Sequence, residues 1–220
     1  MIFNDGINFE DPKAAEDAWR IFRIMAETVR GFEVLRPIGP SVSIFGSART
    51  GADSQLYKDT EEIAHKLSKA GFGIITGGGP GLMEAGNKGA TEAGGESVGL
   101  HIHLPHEQSA NSYIKTQVDF RYFFLRKLMF VKYAQAYVVM PGGMGTIDEL
   151  AEAFVLMQTK RIRPFPIVLY VSQFWSGLLD WVSNTMVDAG CINKDELDLL
   201  TIKDTPDEVV DYLTRRIFTA

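Results

Sequence analysis

Apolar residues recur along the chain in two alternating regimes. Over residues 13–35, Trp19, Ile21, Phe22, Ile24, Met25, Val29 and Phe32 fall near helical spacing. Pro37, Gly39 and Pro40 end that segment. Short, nearly unbroken apolar runs then appear at 42–45, 72–76, 97–103, 136–140 and 166–171 and predict buried strands. Between them the helical period returns at 54–70, from Gly81 to about Ala93, and at 121–134, 146–161, 174–189 and 206–218. Gly71 stands where the first of these helices needs a C-terminal stop. Residues 116–120 suit a short edge strand. Strands that alternate with helices predict an α/β fold: a Rossmann-like, doubly wound parallel sheet flanked by helices. The expected layout is an N-terminal segment and helix at 1–40, followed by a single nucleotide-binding catalytic domain at 41–220.

Composition narrows the function classes. Hydrophobic residues make up 45% and charged residues 23% of 220 positions, enough apolar material for a full core. The net charge of −6 and the scatter of basic residues argue against a nucleic-acid partner. No run of about 18 apolar residues is present, so no membrane partner is expected. Cys191 alone forms no internal disulfide and suits a reducing compartment. The first residues lack the basic-then-apolar layout of a signal peptide, and a cytoplasmic location is expected.

The candidate chemistry sits where strands end in glycine. The run 136–140 leads into Pro141-Gly142-Gly143-Met144-Gly145-Thr146-Ile147-Asp148-Glu149. A strand, a glycine turn and a helix start form an anion cradle, because the backbone can approach a ligand and first-turn N–H groups point at it. A second loop, Gly77-Gly78-Gly79-Pro80-Gly81, follows 72–76, and Gly46-Ser47-Ala48-Arg49 follows 42–45. In an open parallel sheet these loops converge on one crevice. The second loop matches a dinucleotide fingerprint only loosely, and the chain has no GxxxxGK[ST] phosphate loop. The glycines could equally serve tight turns, but two such loops at equivalent positions favour phosphate binding. Thr146 and Glu149 also fit a T-x-x-E capping box, a structural role for both residues. The helix at 121–134 runs antiparallel to the strand it feeds, which brings Arg126 to the same rim as Glu149. Alone, Arg126 would read as a surface residue or half of a structural ion pair.

PGGMGTIDE, with Arg126-Lys127 upstream and TGGGPGLMEAGNKGA before both, resembles the LOG family. These are nucleoside 5′-monophosphate phosphoribohydrolases that release cytokinin bases and are often labelled lysine decarboxylase-like. The resemblance covers about residues 41–190. The N-terminal helix and the string RYFFLRK are similar to the larger bacterial-type subgroup. Short members usually carry a glutamate before the arginine-lysine pair, where this chain has Leu125. The resemblance implies catalytic roles for Arg126 and Glu149. It also implies phosphate binding by Gly142, Gly143, Gly145 and Thr146, and a nucleotide bordered by Ser47, Gly77, Gly78 and Gly79. The expected activity is hydrolysis of the N-glycosidic bond of AMP or N6-substituted AMP to free base and ribose 5-phosphate. No cofactor is expected, and a homo-oligomer built from dimers is. The alternative is a nucleotide- or cofactor-binding carrier that does no chemistry.

Other features carry less. His101, His103 and His106 form HxHxxH, but no cysteine or well-placed carboxylate completes a ligand set, so no metal site is expected. Glu84 and Asp148 are reserve carboxylates, better read as structural. The stripe Trp19, Phe22, Met25 and Val29 suits helix packing or a subunit contact. Trp175 and Trp181 suit a core or an interface. A pyridoxal-phosphate lysine decarboxylase lacks a Schiff-base lysine in a fitting context.

Overall fold

Helix α1 (Pro12–Leu35) precedes seven strands: β1 (Ser41–Phe45), β2 (Gly73–Thr76), β3 (Ser97–Ile102), β4 (Thr116–Phe120), β5 (Ala134–Val139), β6 (Ile167–Tyr170) and β7 (Leu200–Lys203). The computed structural model describes residues 12–102 and 110–218, with side chains from residue 16. The strands form one sheet in the order β4-β3-β2-β1-β5-β6-β7, and every described pairing is parallel. Sequence order runs outward from β1 in both directions, so the switch point lies between β1 and β5. A crevice at the carboxyl ends of those two strands is where such a sheet binds ligands.

The intervening helices are α2 (Gln55–Lys69), α3 (Leu82–Glu92), α4 (Phe123–Tyr133), α5 (Met144–Gln158), α6 (Ser172–Trp181) and α7 (Pro206–Phe218). Alternate residues of each strand feed two separate cores, as the period of two requires. Phe45, Ile75, Leu100, Tyr137 and Leu169 face one layer, closed by Leu35, Met129, Phe130, Leu150 and Trp175 of α1, α4, α5 and α6. Val42, Ile44, Ile74, Val138 and Tyr170 face the other, closed by Ile63, Leu67, Leu82, Val209 and Leu213 of α2, α3 and α7. Each fully buried aliphatic side chain contributes about 1.5–3 kcal/mol by leaving water. The doubly wound parallel fold expected from the sequence is therefore present.

Several local expectations need revision. The sequence reading has no strand at 200–203; β7 is only four residues long and directly follows a 3₁₀ turn, Lys194–Leu199, that its own capping box stabilises. The helix expected at 174–189 divides into α6 and a π-helical segment, Val182–Val187. Ser54 caps α2, its hydroxyl accepting from the Tyr57 N–H at 3.2 Å. Gly71, at φ +96, follows the C-cap Ala70 as expected for a left-handed stop. Trp175 is buried, whereas Trp181 is exposed. Trp19, Phe22, Met25 and Val29 are all more than half exposed, so this stripe of α1 is not packed away among the described residues. No helix of the described residues is long and apolar enough to cross a membrane. His103 and His106 lie outside the described residues, and among the described residues no group of three potential ligands gathers for a metal.

Candidate active site

Strand β5 ends at Val139, and Met140, Pro141, Gly142 and Gly143 lead into α5. The helix starts at Met144 with Gly143 as its N-cap, so the T-x-x-E spacing of Thr146 and Glu149 does not make a capping box. Thr146 occupies the third helical position, its N–H bonded to the Gly143 carbonyl at 3.0 Å. Its side chain is buried against Gly142, where a Cβ would overlap Thr146 Oγ1. Glu149 is thereby free of a helix-end role. It turns inward and is only 6% exposed.

Helix α4 feeds β5 directly, so its first turns stand beside the loop that leaves the other end of that strand. Arg126 Nη2 approaches Glu149 Oε1 to 3.4 Å. The guanidinium carbon lies 5.3 Å from the centroid of Phe123 and 5.8 Å from that of Phe130, within range of a cation–π contact. Lys127, the next residue of α4, bonds Asp148 Oδ1 at 2.8 Å and Glu152 Oε2 at 2.7 Å. Burial pushes the Glu149 carboxyl up to about 7; Arg126 and Lys127 pull it back, while Asp148 and Glu152 add to the rise. Burial alone would lower Lys127, but its bonds to Asp148 and Glu152 hold it above the ordinary lysine value.

Both partners of the Arg126–Glu149 pair open on a cavity of about 720 Å³, within the range of small-molecule sites. Ser47, Gly77, Gly143, Gly145 and Thr146 share its wall with Arg126 and Glu149. Gly142, Gly78 and Gly79, expected at the ligand, are not among its lining residues. Gly142 packs against Thr146 and the Ser47 N–H, and the Ser47 N–H in turn donates to the Pro141 carbonyl at 3.1 Å. Gly81, at φ +68, lets the second glycine loop pass close to the Ser47 carbonyl, where a side chain would clash. Glu84 accepts a bond from the Tyr57 hydroxyl at 3.0 Å and does not line the cavity.

Sequence reasoning overlooked two parts of this site. The first is an apolar wall of Phe45, Met83, Ile102, Phe123 and Phe130, a broad face for a flat ring. The second is a buried network behind the second glycine loop. The Thr76 hydroxyl donates to Asn87 Oδ1 at 2.6 Å and accepts the Gly78 N–H at 3.0 Å. Asn87 Nδ2 donates to Ser97 Oγ and the Val98 carbonyl. Asn111 Nδ2 reaches Asn87 Oδ1 and the Gly78 and Gly79 carbonyls. A polar residue inside the apolar pattern of α3, Asn87, was the available signal.

A family model described as "Possible lysine decarboxylase", the LOG family, matches residues 83–213. The chain belongs to this family. The matched stretch contains α4, the PGGMGT turn and α5, and so contains Arg126 and Glu149. Among curated protein sequences none matches the chain. Solved structures share its fold. One is described as the molybdenum cofactor carrier protein of Chlamydomonas reinhardtii, at 19% identity and TM-score 0.60 over 82% of this chain and 99% of that one. Another is the molybdenum cofactor binding protein of Rippkaea orientalis, at 17% identity and TM-score 0.59 over 79% of this chain and 94% of that one. A third, TM1055, has 24% identity and TM-score 0.58 over 80% of this chain and 99% of that one. At these identities the likeness is one of fold.

Proposed function

We propose that this LOG-family protein hydrolyses the N-glycosidic bond of a nucleoside 5′-monophosphate, AMP or an N6-substituted AMP, to free base and ribose 5-phosphate. The observation that carries the reading is a buried carboxylate paired with an arginine on the wall of a cavity in the small-molecule range. The start of α5 receives the 5′-phosphate through the backbone of Gly143 and Gly145 and the Thr146 side chain, an anion at a helix N-terminus. Gly142, Gly78 and Gly79 shape the two loops from behind, and Ser47 and Gly77 border the nucleotide. The apolar wall takes the base.

The C1′–N bond breaks with its electron pair going to the base nitrogen, and the proton that the attacking water gives up ends on the departing base. The ribose then develops oxocarbenium character, and ionised Glu149 stabilises that charge and accepts a proton from the water whose oxygen adds to C1′. Arg126, always protonated, orients Glu149 and the sugar hydroxyls rather than giving up a proton. Phosphate contacts remote from C1′ supply binding energy that positions the sugar.

A second reading, a non-catalytic carrier of a nucleotide or cofactor, is supported by the fold relatives described as molybdenum cofactor carriers. A decarboxylase using pyridoxal phosphate fits these residues poorly: no lysine lines the cavity among the described residues, and Lys127 is held protonated between two carboxylates. The family resemblance favours a homo-oligomer built from dimers, and the exposed apolar stripe of α1 supplies a surface for it. A reducing cytoplasm suits the free, exposed Cys191.

Incubation with a panel of nucleoside 5′-monophosphates, each beside its parent nucleoside, tests the reading by chromatography of free base. Release from a monophosphate, with much slower release from its nucleoside, is the expected result. Tight binding of nucleotides without release of base from any of them would favour the carrier.

A further inference from the structure

Lys127 is only 14% exposed, a burial that lysine tolerates when it is paired. Its two partners, Asp148 and Glu152, lie four residues apart and share a face of α5. Glu149 stands between them in sequence, so three carboxylates crowd one turn. Neighbouring positions on a helix diverge in direction by about 100°. Helix α4 can therefore offer Arg126 to Glu149 and Lys127 to the other two at once.

We propose that Lys127 is a positioning residue for the reaction: bound to both Asp148 and Glu152, it fastens α4 to α5, keeps Arg126 turned to Glu149, and favours ionised Glu149. This rests on the catalytic role given to Glu149 above. The charged and titratable groups that face Glu149 are Arg126 and Lys127 from α4, Asp148 and Glu152 from α5, and Tyr137 from β5. Arg49, from the loop after β1, lines the same cavity. Burial holds the Tyr137 hydroxyl neutral. Without Lys127, the two flanking carboxylates oppose ionisation of Glu149 with only Arg126 to offset them, and they compete for its guanidinium. A lysine that served only to hold two helices together would affect folding and leave the titration of Glu149 where it was.

The test follows the Glu149 carboxyl directly by ¹³C NMR titration, its signal assigned by loss in Glu149→Gln, beside the pH profile of base release. In Lys127→Met the Glu149 midpoint rises by about one pH unit, the lower end of what loss of a neighbouring opposite charge does to a carboxyl. The acidic limb of the activity profile moves up with it. Adding Asp148→Asn and Glu152→Gln returns the midpoint toward wild type, and Lys127→Arg leaves it near wild type. An unchanged midpoint in Lys127→Met overturns the proposal, whatever happens to activity. A shifted midpoint in a protein whose wild type releases no base would sustain the electrostatic role and remove the catalytic one. Should Lys127→Met fail to fold, Asp148→Asn/Glu152→Gln in the presence of Lys127 should lower the midpoint, and no change there overturns the proposal.

Discussion

Arg126 and Glu149, 23 positions apart in sequence, meet at 3.4 Å inside the cavity at the switch point of the sheet. The meeting follows from chain direction: α4 enters β5 and α5 leaves it, so the first turns of both helices share one end of the strand. Replacing Arg126 by Ala should lower the rate of base release by about 10²–10³, the range for loss of one preorganised electrostatic partner. Lysine should not restore it, since an ammonium lacks the planar fork that meets a carboxylate and sugar hydroxyls together. Single-turnover kinetics separate this loss from any change in binding.

The pH dependence has a definite sign. Glu149 titrates near 7 in the folded protein, against an ordinary 4.5. Base release should therefore rise with pH through about 7, as the carboxylate forms. Stability runs the other way. A carboxyl raised by folding binds more protons in the native state, so its contribution is fully present below about 4.5 and is lost as pH rises through about 7. Glu149→Gln lacks that titration, so its Tm relative to wild type should climb across this window in thermal unfolding scans. A flat difference would contradict the assignment.

The two glycines that flank the helix start should differ. Gly142→Ala forces a methyl onto Thr146 Oγ1, whereas Gly145→Ala adds one where no atom lies within 4 Å. Gly142→Ala should raise KM for the monophosphate by about tenfold, ~1.4 kcal/mol of binding, with little effect on nucleoside binding. Gly145→Ala should fold with wild-type stability. Steady-state kinetics and urea unfolding distinguish the two.

The buried network of the second loop is a stability device. Asn87→Ala leaves Thr76, Ser97 and the Val98 carbonyl short of partners. It should cost about 1–3 kcal/mol for each group left unsatisfied. Urea denaturation measures this, and a loss under 0.5 kcal/mol, about the lower bound for one hydrogen bond, would show that water replaces Asn87 without cost.

Much of this architecture was legible in the sequence because its signals are local. Unbroken apolar runs such as 136–140 announce a strand covered on both faces, and glycines after 42–45, 72–76 and 136–140 mark the carboxyl ends of three strands. The approach of Arg126 to Glu149 followed from helix direction alone. The capping box misled because Thr146 and Glu149 satisfy its spacing while the helix begins two residues earlier, at Met144. Strand β7 escaped because four residues give almost no period to read. The apolar wall and the Lys127 bridge escaped for another reason: Phe45, Met83 and Phe123 lie on different elements, as do Lys127 and its carboxylate partners on α5, and only tertiary packing brings them together.

The most direct test compares wild type with Glu149→Gln, measuring free base and ribose 5-phosphate from AMP and nucleotide affinity by calorimetry on the same samples. Wild type should form both products in equal amounts, while the variant should bind the nucleotide with similar affinity and form neither. Product formation by Glu149→Gln at the wild-type rate, or nucleotide binding by wild type with no product, would contradict it.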